Sequence, residues 1–205
     1  MKSLITLAVI AILFMIGCSD NNSSITSPET GYTQLSNGPN WVKLPADIQG
    51  RLGIETEYSA SKLIKGKDGG NVKLDIKIKR PGNPLGDFEV HAKLKIEKHS
   101  FPDQEERLFT LNLDPDYAVI NVSPSPNTLE KHIKIDAEIK GIDVSDIDEE
   151  TFDFIYVGDN SEILETAKEE LTVDYNKNKI KVKKAVIDPY TVGMTPPGSR
   201  FGWVR

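Results

Sequence analysis

The sequence predicts an all-β fold: a single antiparallel β-sandwich after a signal peptide and a disordered tether. Three observations carry this expectation. Apolar and charged residues alternate with period two over most of the chain beyond about Ile54. Turn-forming residues interrupt that alternation at short intervals. The N-terminal part has a different character, apolar first and then polar without a period. A chain of 205 residues suits one domain with extensions.

Residues 1–17 read as a signal peptide. Met1 and Lys2 give a charged start, and Leu4 to Ile16 is apolar apart from Thr6. That run is shorter than the roughly 20 residues with which a helix crosses a bilayer. A charged start, a short apolar run and a small residue at its end form the secretory pattern. Met15-Ile16-Gly17-Cys18 resembles the bacterial lipobox, in which a small residue precedes an invariant Cys. Met15 stands where Leu is usual and keeps its size and apolarity. The resemblance implies that Cys18 is acylated and becomes the first mature residue. It implies a membrane-anchored lipoprotein of the bacterial cell envelope, in the outer membrane. Acyl methylenes contribute ~0.8 kcal/mol each, and more than one chain is needed for stable anchoring. The alternative is a signal cleaved elsewhere with Cys18 incidental; the sole Cys of the chain, placed directly after Gly17, favours acylation.

Residues 18–40 read as a flexible polar tether: few apolar residues, no period, and Ser-Pro, Asn-Gly and Gly-Pro steps. The sandwich is expected over residues 41–205. Trp41 to Leu52 is transitional. Trp41, Val42, Leu44 and Ile48 suit docking on the domain, while Pro45 is expected to break regular structure.

The strands follow in order. Val72, Leu74, Ile76 and Ile78 alternate with Lys73, Asp75, Lys77 and Lys79. Phe88 to Ile96 and Ile133 to Lys140 repeat the pattern. One buried and one wet face is the mark of antiparallel sheets. Ile76, Val90 and Ile135 are therefore expected inside, and Lys77, His91 and Lys134 outside. Further strands are expected at Leu108 to Leu113, Ala118 to Val122, Phe152 to Val157, Leu171 to Tyr175, Ile180 to Lys184 and Phe201 to Val204. Turns such as Lys67-Asp68-Gly69-Gly70 and Asn176 to Asn178 separate them. Glu162 to Glu170 fits a helical turn or a strand equally well. No internal repeat of about 20–50 residues is present.

The order of these features resembles the β-sandwich module of zonula-occludens scaffolds, netrin receptors and ankyrins, and its relatives in bacterial surface lipoproteins. Gly69-Gly70-Asn71-Val72-Lys73-Leu74 resembles its first strand, and Asp114-Pro115 with Val119-Ile120-Asn121-Val122 its middle strands. Phe152 to Tyr156, Leu171 to Asp174 and Ile180 to Val182 resemble its late strands, and Ser199-Arg200-Phe201-Gly202 its closing strand. Arg80-Pro81-Gly82-Asn83-Pro84 matches the family's proline-rich segment only loosely, and Pro197-Gly198 replaces its usual His-Phe. The resemblance implies an interaction or structural module without catalytic residues.

Composition narrows the chemistry. Lys+Arg is 25 against Asp+Glu 31, a net charge of -6, which argues against nucleic-acid binding. One Cys, acylated, excludes an intramolecular disulfide, a Cys-based zinc site and a thiol nucleophile. No nucleophile-elbow, zinc-protease or phosphate-loop motif occurs. His91, His99 and His132 read as surface histidines. Asp143, Asp146, Asp148, Glu149 and Glu150 form the densest oxygen cluster. They are weak calcium candidates, since calcium wants about six to eight oxygens and the calcium-loop spacing is absent; a solvated loop is expected. Lys177, Lys179, Lys181, Lys183 and Lys184 read as the wet face of a strand, with a polyanion stripe as the sharper alternative. Trp41, Trp203, Tyr58, Tyr117, Tyr175 and Tyr190 read as core or edge packing rather than a sugar-stacking row. The expectation is a lipid-anchored envelope protein, not an enzyme and without cofactors. Its sandwich is a structural or interaction module with a protein or glycan partner. The alternative is a glycan-binding surface lipoprotein.

Overall fold

Alternating sequences can bury one face only by pairing into sheets that stack, and this chain does so twice. In the computed structural model the described residues are 39–52, 58–124, 129–157, 163–187 and 199–205. Cys18, most of the tether and Tyr190 lie outside them. Among the described residues a helix, α1 (Ala46–Leu52), precedes eleven strands. These are β1 (Ser59–Lys65), β2 (Gly70–Ile78), β3 (Phe88–Ile96), β4 (Glu106–Leu113), β5 (Val119–Ser123) and β6 (Ile133–Lys140). There follow β7 (Asp153–Val157), β8 (Ile163–Glu165), β9 (Glu170–Asp174), β10 (Lys179–Ile187) and β11 (Ser199–Val204). One sheet has six strands in the order β1-β4-β5-β11-β7-β8; the other has five, β2-β3-β6-β10-β9. Every pairing is antiparallel. The all-β sandwich is thus the observed fold.

The core lies between the sheets. From the five-stranded sheet it takes Val72, Leu74 and Ile76 of β2, Phe88, Val90 and Leu94 of β3, and Ile133, Ile135 and Ile139 of β6, all buried. Opposite them stand Phe109, Leu111, Ile120, Phe154, Tyr156, Phe201 and Trp203. Phe154 meets Trp203 edge to face at 4.9 Å between centroids, a geometry aromatic quadrupoles prefer. Lys77 and His91 are exposed, as expected, but Lys134 is half-buried. Its strand sits in the middle of the sheet, between β3 and β10, so long side chains flank it on both sides.

Two regions differ from expectation for local reasons, and in a third the structure takes one of two open alternatives. Pro45 does not end regular structure but begins α1. Its carbonyl accepts from Ile48 N at 2.9 Å and Gln49 N at 3.0 Å. Proline is well placed at a helix start, where its missing N–H has no partner to lose. β1 stands outside the expected strands because its alternation is broken. Lys62 falls between Ala60 and Ile64 on the inward side, which an edge strand tolerates since the ammonium reaches water. Glu162 to Glu170 takes the strand alternative: β8, then an isolated bridge from Ala167 to Val186, then the start of β9.

The segment around Trp41 closes one end of the six-stranded sheet. Val42 N donates to Trp203 O and Val42 O accepts from Ala118 N, both at 2.8 Å. Trp41 thereby packs with Val119, Ile155 and Val157 in a second apolar cluster on that sheet's outer side.

Candidate functional site

Strand β2, β3, β6 and β10 side chains that do not enter the core all project onto one outer face, and almost all are charged. Register decides who meets whom. At one end Lys77 lies opposite Glu89, which lies opposite Lys140. Lys77 Nζ is 2.7 Å and Lys140 Nζ 3.7 Å from the Glu89 carboxylate. The hydrogen bond from Lys77, reinforced by the Lys140 charge, holds the Glu89 carboxyl below the usual glutamate range, and the same bond raises Lys77. In the next row Asp75 meets the His91 ring Nδ1 at 2.7 Å, and His91 lies opposite Glu138.

One row further on the pattern changes sign. Lys73 lies directly opposite Lys93, whose neighbour on β6 is Asp136, and beyond them Lys95 lies directly opposite Lys134. Opposed residues in antiparallel strands stand with Cβ atoms about 4.5–5.5 Å apart, and like charges there are destabilising. Lys134 is relieved by Glu97 at 3.2 Å, whose pKa that hydrogen bond lowers. Among the described residues no carboxylate lies within 4 Å of the Lys73, Lys93 or Lys95 ammonium. The far rim of this region is a bulge in β10, where the register with β6 shifts between Val182 and Ala185. Lys184 sits there with φ of 48°, a left-handed conformation that is strained for a side-chain-bearing residue. Its N–H donates to Asp136 Oδ1 at 2.9 Å, which holds the bulge to β6. Between the rims lies a shallow recess of about 480 Å³, lined by lysines that include Lys73, Lys93 and Lys184 and by the carboxylates Asp75, Asp136 and Glu138, with Ala92 and Ala137 between them. A second recess of about 530 Å³ adjoins Asn71, Lys95, Lys98 and Lys131.

The lysine run singled out in the sequence is mostly neutralised. Lys177 pairs with Asp174, Lys179 with Glu138, Lys181 and Lys183 with Glu170, and Lys184 with Glu169. The hydrogen bond from Lys183, then that from Lys181, lowers the Glu170 pKa. Sequence reading missed the cluster that stays open, Lys73, Lys93 and Lys95. Each looks like an ordinary wet-face lysine, and only the pairing of β2 with β3 reveals the like-charge contact.

The acidic candidates are engaged in turns. Asp143 Oδ1 accepts from Ser145 N at 3.0 Å and from its hydroxyl at 2.7 Å, and the backbone bond, then the hydroxyl, lowers its pKa. Asp148 Oδ1 accepts from Glu150 N at 2.9 Å, and Asp146 lies 3.6 Å from Arg205. No group of three His, Cys, Asp or Glu among the described residues is arranged to hold a metal. His99 bonds Asp103 at 2.6 Å in the loop after β3, apart from His91 on the sheet face. Trp41 and Trp203 are buried, Tyr58 and Tyr117 half-buried, and Tyr175 exposed, so the described aromatics form no exposed row.

No family model matches this chain, and neither a curated protein nor a solved structure does.

Proposed function

We propose that this is a lipid-anchored envelope protein whose β-sandwich is a non-catalytic interaction module. The observation that carries the reading is the recessed, charged outer face of the five-stranded sheet. Its broad recesses are open rather than enclosed, a shape that suits an extended partner laid across it rather than a small molecule enclosed. The acylated Cys18 of the lipobox-like junction supplies the anchor, and the polar residues after it the reach.

Photo-crosslinking in intact envelopes tests the module. A photoreactive amino acid in place of Thr172, exposed on β9 of this sheet, is expected to give higher-mass adducts. One in place of Asn112, exposed on β4 of the other sheet, is expected to give none. Adducts from neither position would overturn the interaction reading, and adducts from position 112 alone would move it to the other sheet.

A further inference from the structure

We propose that the cluster of Lys73, Lys93 and Lys95 binds an acidic polysaccharide, a linear chain bearing carboxylate or sulfate groups. The inference rests on the interaction-module reading and names the partner's chemistry. Two directly opposed lysine pairs stand in adjacent rows, Lys73 with Lys93 and Lys95 with Lys134; Glu97 relieves Lys134, and the Lys73–Lys93 contact is left as an unfavourable like-charge pair. On the rest of this face almost every lysine is ion-paired; here Asp136 lies opposite Lys93 but its Oδ1 accepts from the Lys184 N–H, and no ion pair to Lys73, Lys93 or Lys95 forms among the described residues. An anion seated between the pairs would relieve the repulsion, and that relief is differential free energy in favour of binding.

The far rim bounds the same recess. The β10 bulge turns Lys183 and Lys184 together onto the recess, and it does so through a strained residue held by Asp136. Bulges and left-handed residues re-aim side chains next to working surfaces. The two recesses, of about 480 and 530 Å³, both reach the β3 lysines: Lys93 walls one and Lys95 the other. The lysines without an ion pair, Lys73, Lys93 and Lys95, thus lie between the two recesses, while Lys183 and Lys184 at the far rim are paired with Glu170 and Glu169.

A narrow chain fits this face better than a membrane does. Asp75, Glu89, Asp136, Glu138 and Glu170 are interleaved with the lysines, so a flat anionic surface would meet nearly balanced charge. A single chain can follow the lysines and leave the carboxylates at its flanks, and Asp75 and Glu138 can accept hydrogen bonds from sugar hydroxyls. With a net charge of -6 the protein as a whole repels polyanions, so any binding must be local.

The test uses the full-length chain in neutral detergent, titrated calorimetrically with dextran sulfate, polygalacturonate and neutral dextran. Vesicles rich in phosphatidylglycerol form a separate arm. The acidic polysaccharides are expected to bind at about 50 mM NaCl and to lose roughly tenfold in affinity by about 200 mM, as ion-pair release requires. Neutral dextran is expected not to bind. The double substitution Lys73→Gln with Lys93→Gln is expected to weaken binding at least about tenfold while the thermal midpoint holds or rises, because repulsion has been removed. Lys179→Gln, which removes a lysine already paired with Glu138, is expected to stay within about twofold of the parent. Absence of polysaccharide binding by the parent overturns the proposal, as does undiminished binding by the double variant. Vesicle binding that alone depends on Lys73 and Lys93 overturns it in favour of a membrane surface. Each of these failures leaves the crosslinks at position 172 standing, whereas loss of those crosslinks removes the module reading itself.

Discussion

At the scale of single residues, close approach explains a glycine that no periodicity predicts. A Cβ built on Gly202 would lie 2.6 Å from Val119 Cγ2, 2.8 Å from Ala118 O and 2.9 Å from Trp41 Cζ3. Gly202 faces outward from β11, so it occupies a position where a side chain would ordinarily be free; Trp41 lies across it instead. Gly202→Ala is therefore expected to destabilise the domain by about 1–3 kcal/mol through overpacking, read from urea unfolding midpoints at unchanged slope. Arg80 is the second such residue. Its guanidinium is buried, with Nε donating to Gly86 O at 2.8 Å and Nη2 to Gly141 O. Nη1 stands 3.6 Å from Asp47 on α1. Gly141 itself has φ of +79°, and a Cβ there would meet Asp87 O and the Arg80 Nη2. One arginine thus fastens α1, the β2–β3 connection and the turn after β6. Arg80→Met keeps the apolar stem and is expected to cost about 1–3 kcal/mol, chiefly for the buried Gly141 carbonyl left without a donor, since Gly86 is exposed and its carbonyl can turn to water. Arg80→Lys is expected to recover only part, since an ammonium lacks the fork that reaches both. The same unfolding experiment checks both variants.

At the scale of elements, β9 and β10 form a hairpin knitted by charge. Glu170 bridges Lys181 at 3.0 Å and Lys183 on the neighbouring strand. Its carboxyl is lowered by those hydrogen bonds, so the sign is fixed. A depressed pKa contributes stability that is fully present above the unfolded glutamate value, about 4.3, and is lost as pH falls through the folded value. Glu89, Glu97 and Asp143 act in the same direction. The thermal midpoint is accordingly expected to hold near neutrality and to fall below about pH 4. Glu170→Gln is expected to lower the midpoint at pH 7, with the gap to the parent closing under acid. A gap that persists when the carboxyls are protonated would mean that Glu170 acts by packing rather than by charge. The group is partly open to solvent, which screens it, so the effect is a modest one. On the opposite sheet Leu63 of β1 and Leu108 of β4 form an exposed cross-strand pair. This is an outward apolar spot at the sheet edge, and the charges at Lys62 and Lys65 guard that edge against strand addition.

At the scale of the whole molecule, the apolar strand faces are consumed by the core between the sheets, and they cannot also hold a bilayer. No helix among the described residues is long and apolar enough to cross a membrane. In the proposed reading Cys18 carries the attachment, and this can be tested apart from the sandwich. Cys18→Ala is expected to abolish labelling by an alkyne fatty acid while the circular dichroism spectrum of the sandwich is unchanged. Equal label on both proteins would be fatal to the lipoprotein reading.

What the sequence determined by itself is the set of faces. Period-two alternation told inside from outside in β2, β3 and β6, because burial of one face is a property each strand carries alone. The sandwich class followed, since strands with one apolar face must stack in two layers. Three things were decided only in three dimensions. β1 became a strand because β4 offered an edge on which a broken pattern is tolerated. Pro45 became a helix start where the chain before it docks on β11 and on the residues just ahead of β5. The lysine cluster exists because β2 pairs with β3 in one register, which sets Lys73 against Lys93. Alternation says which way a side chain points, and it is silent on which neighbour it will meet. Contacts between strands are made by pairing across distance in the chain, and no local period encodes them.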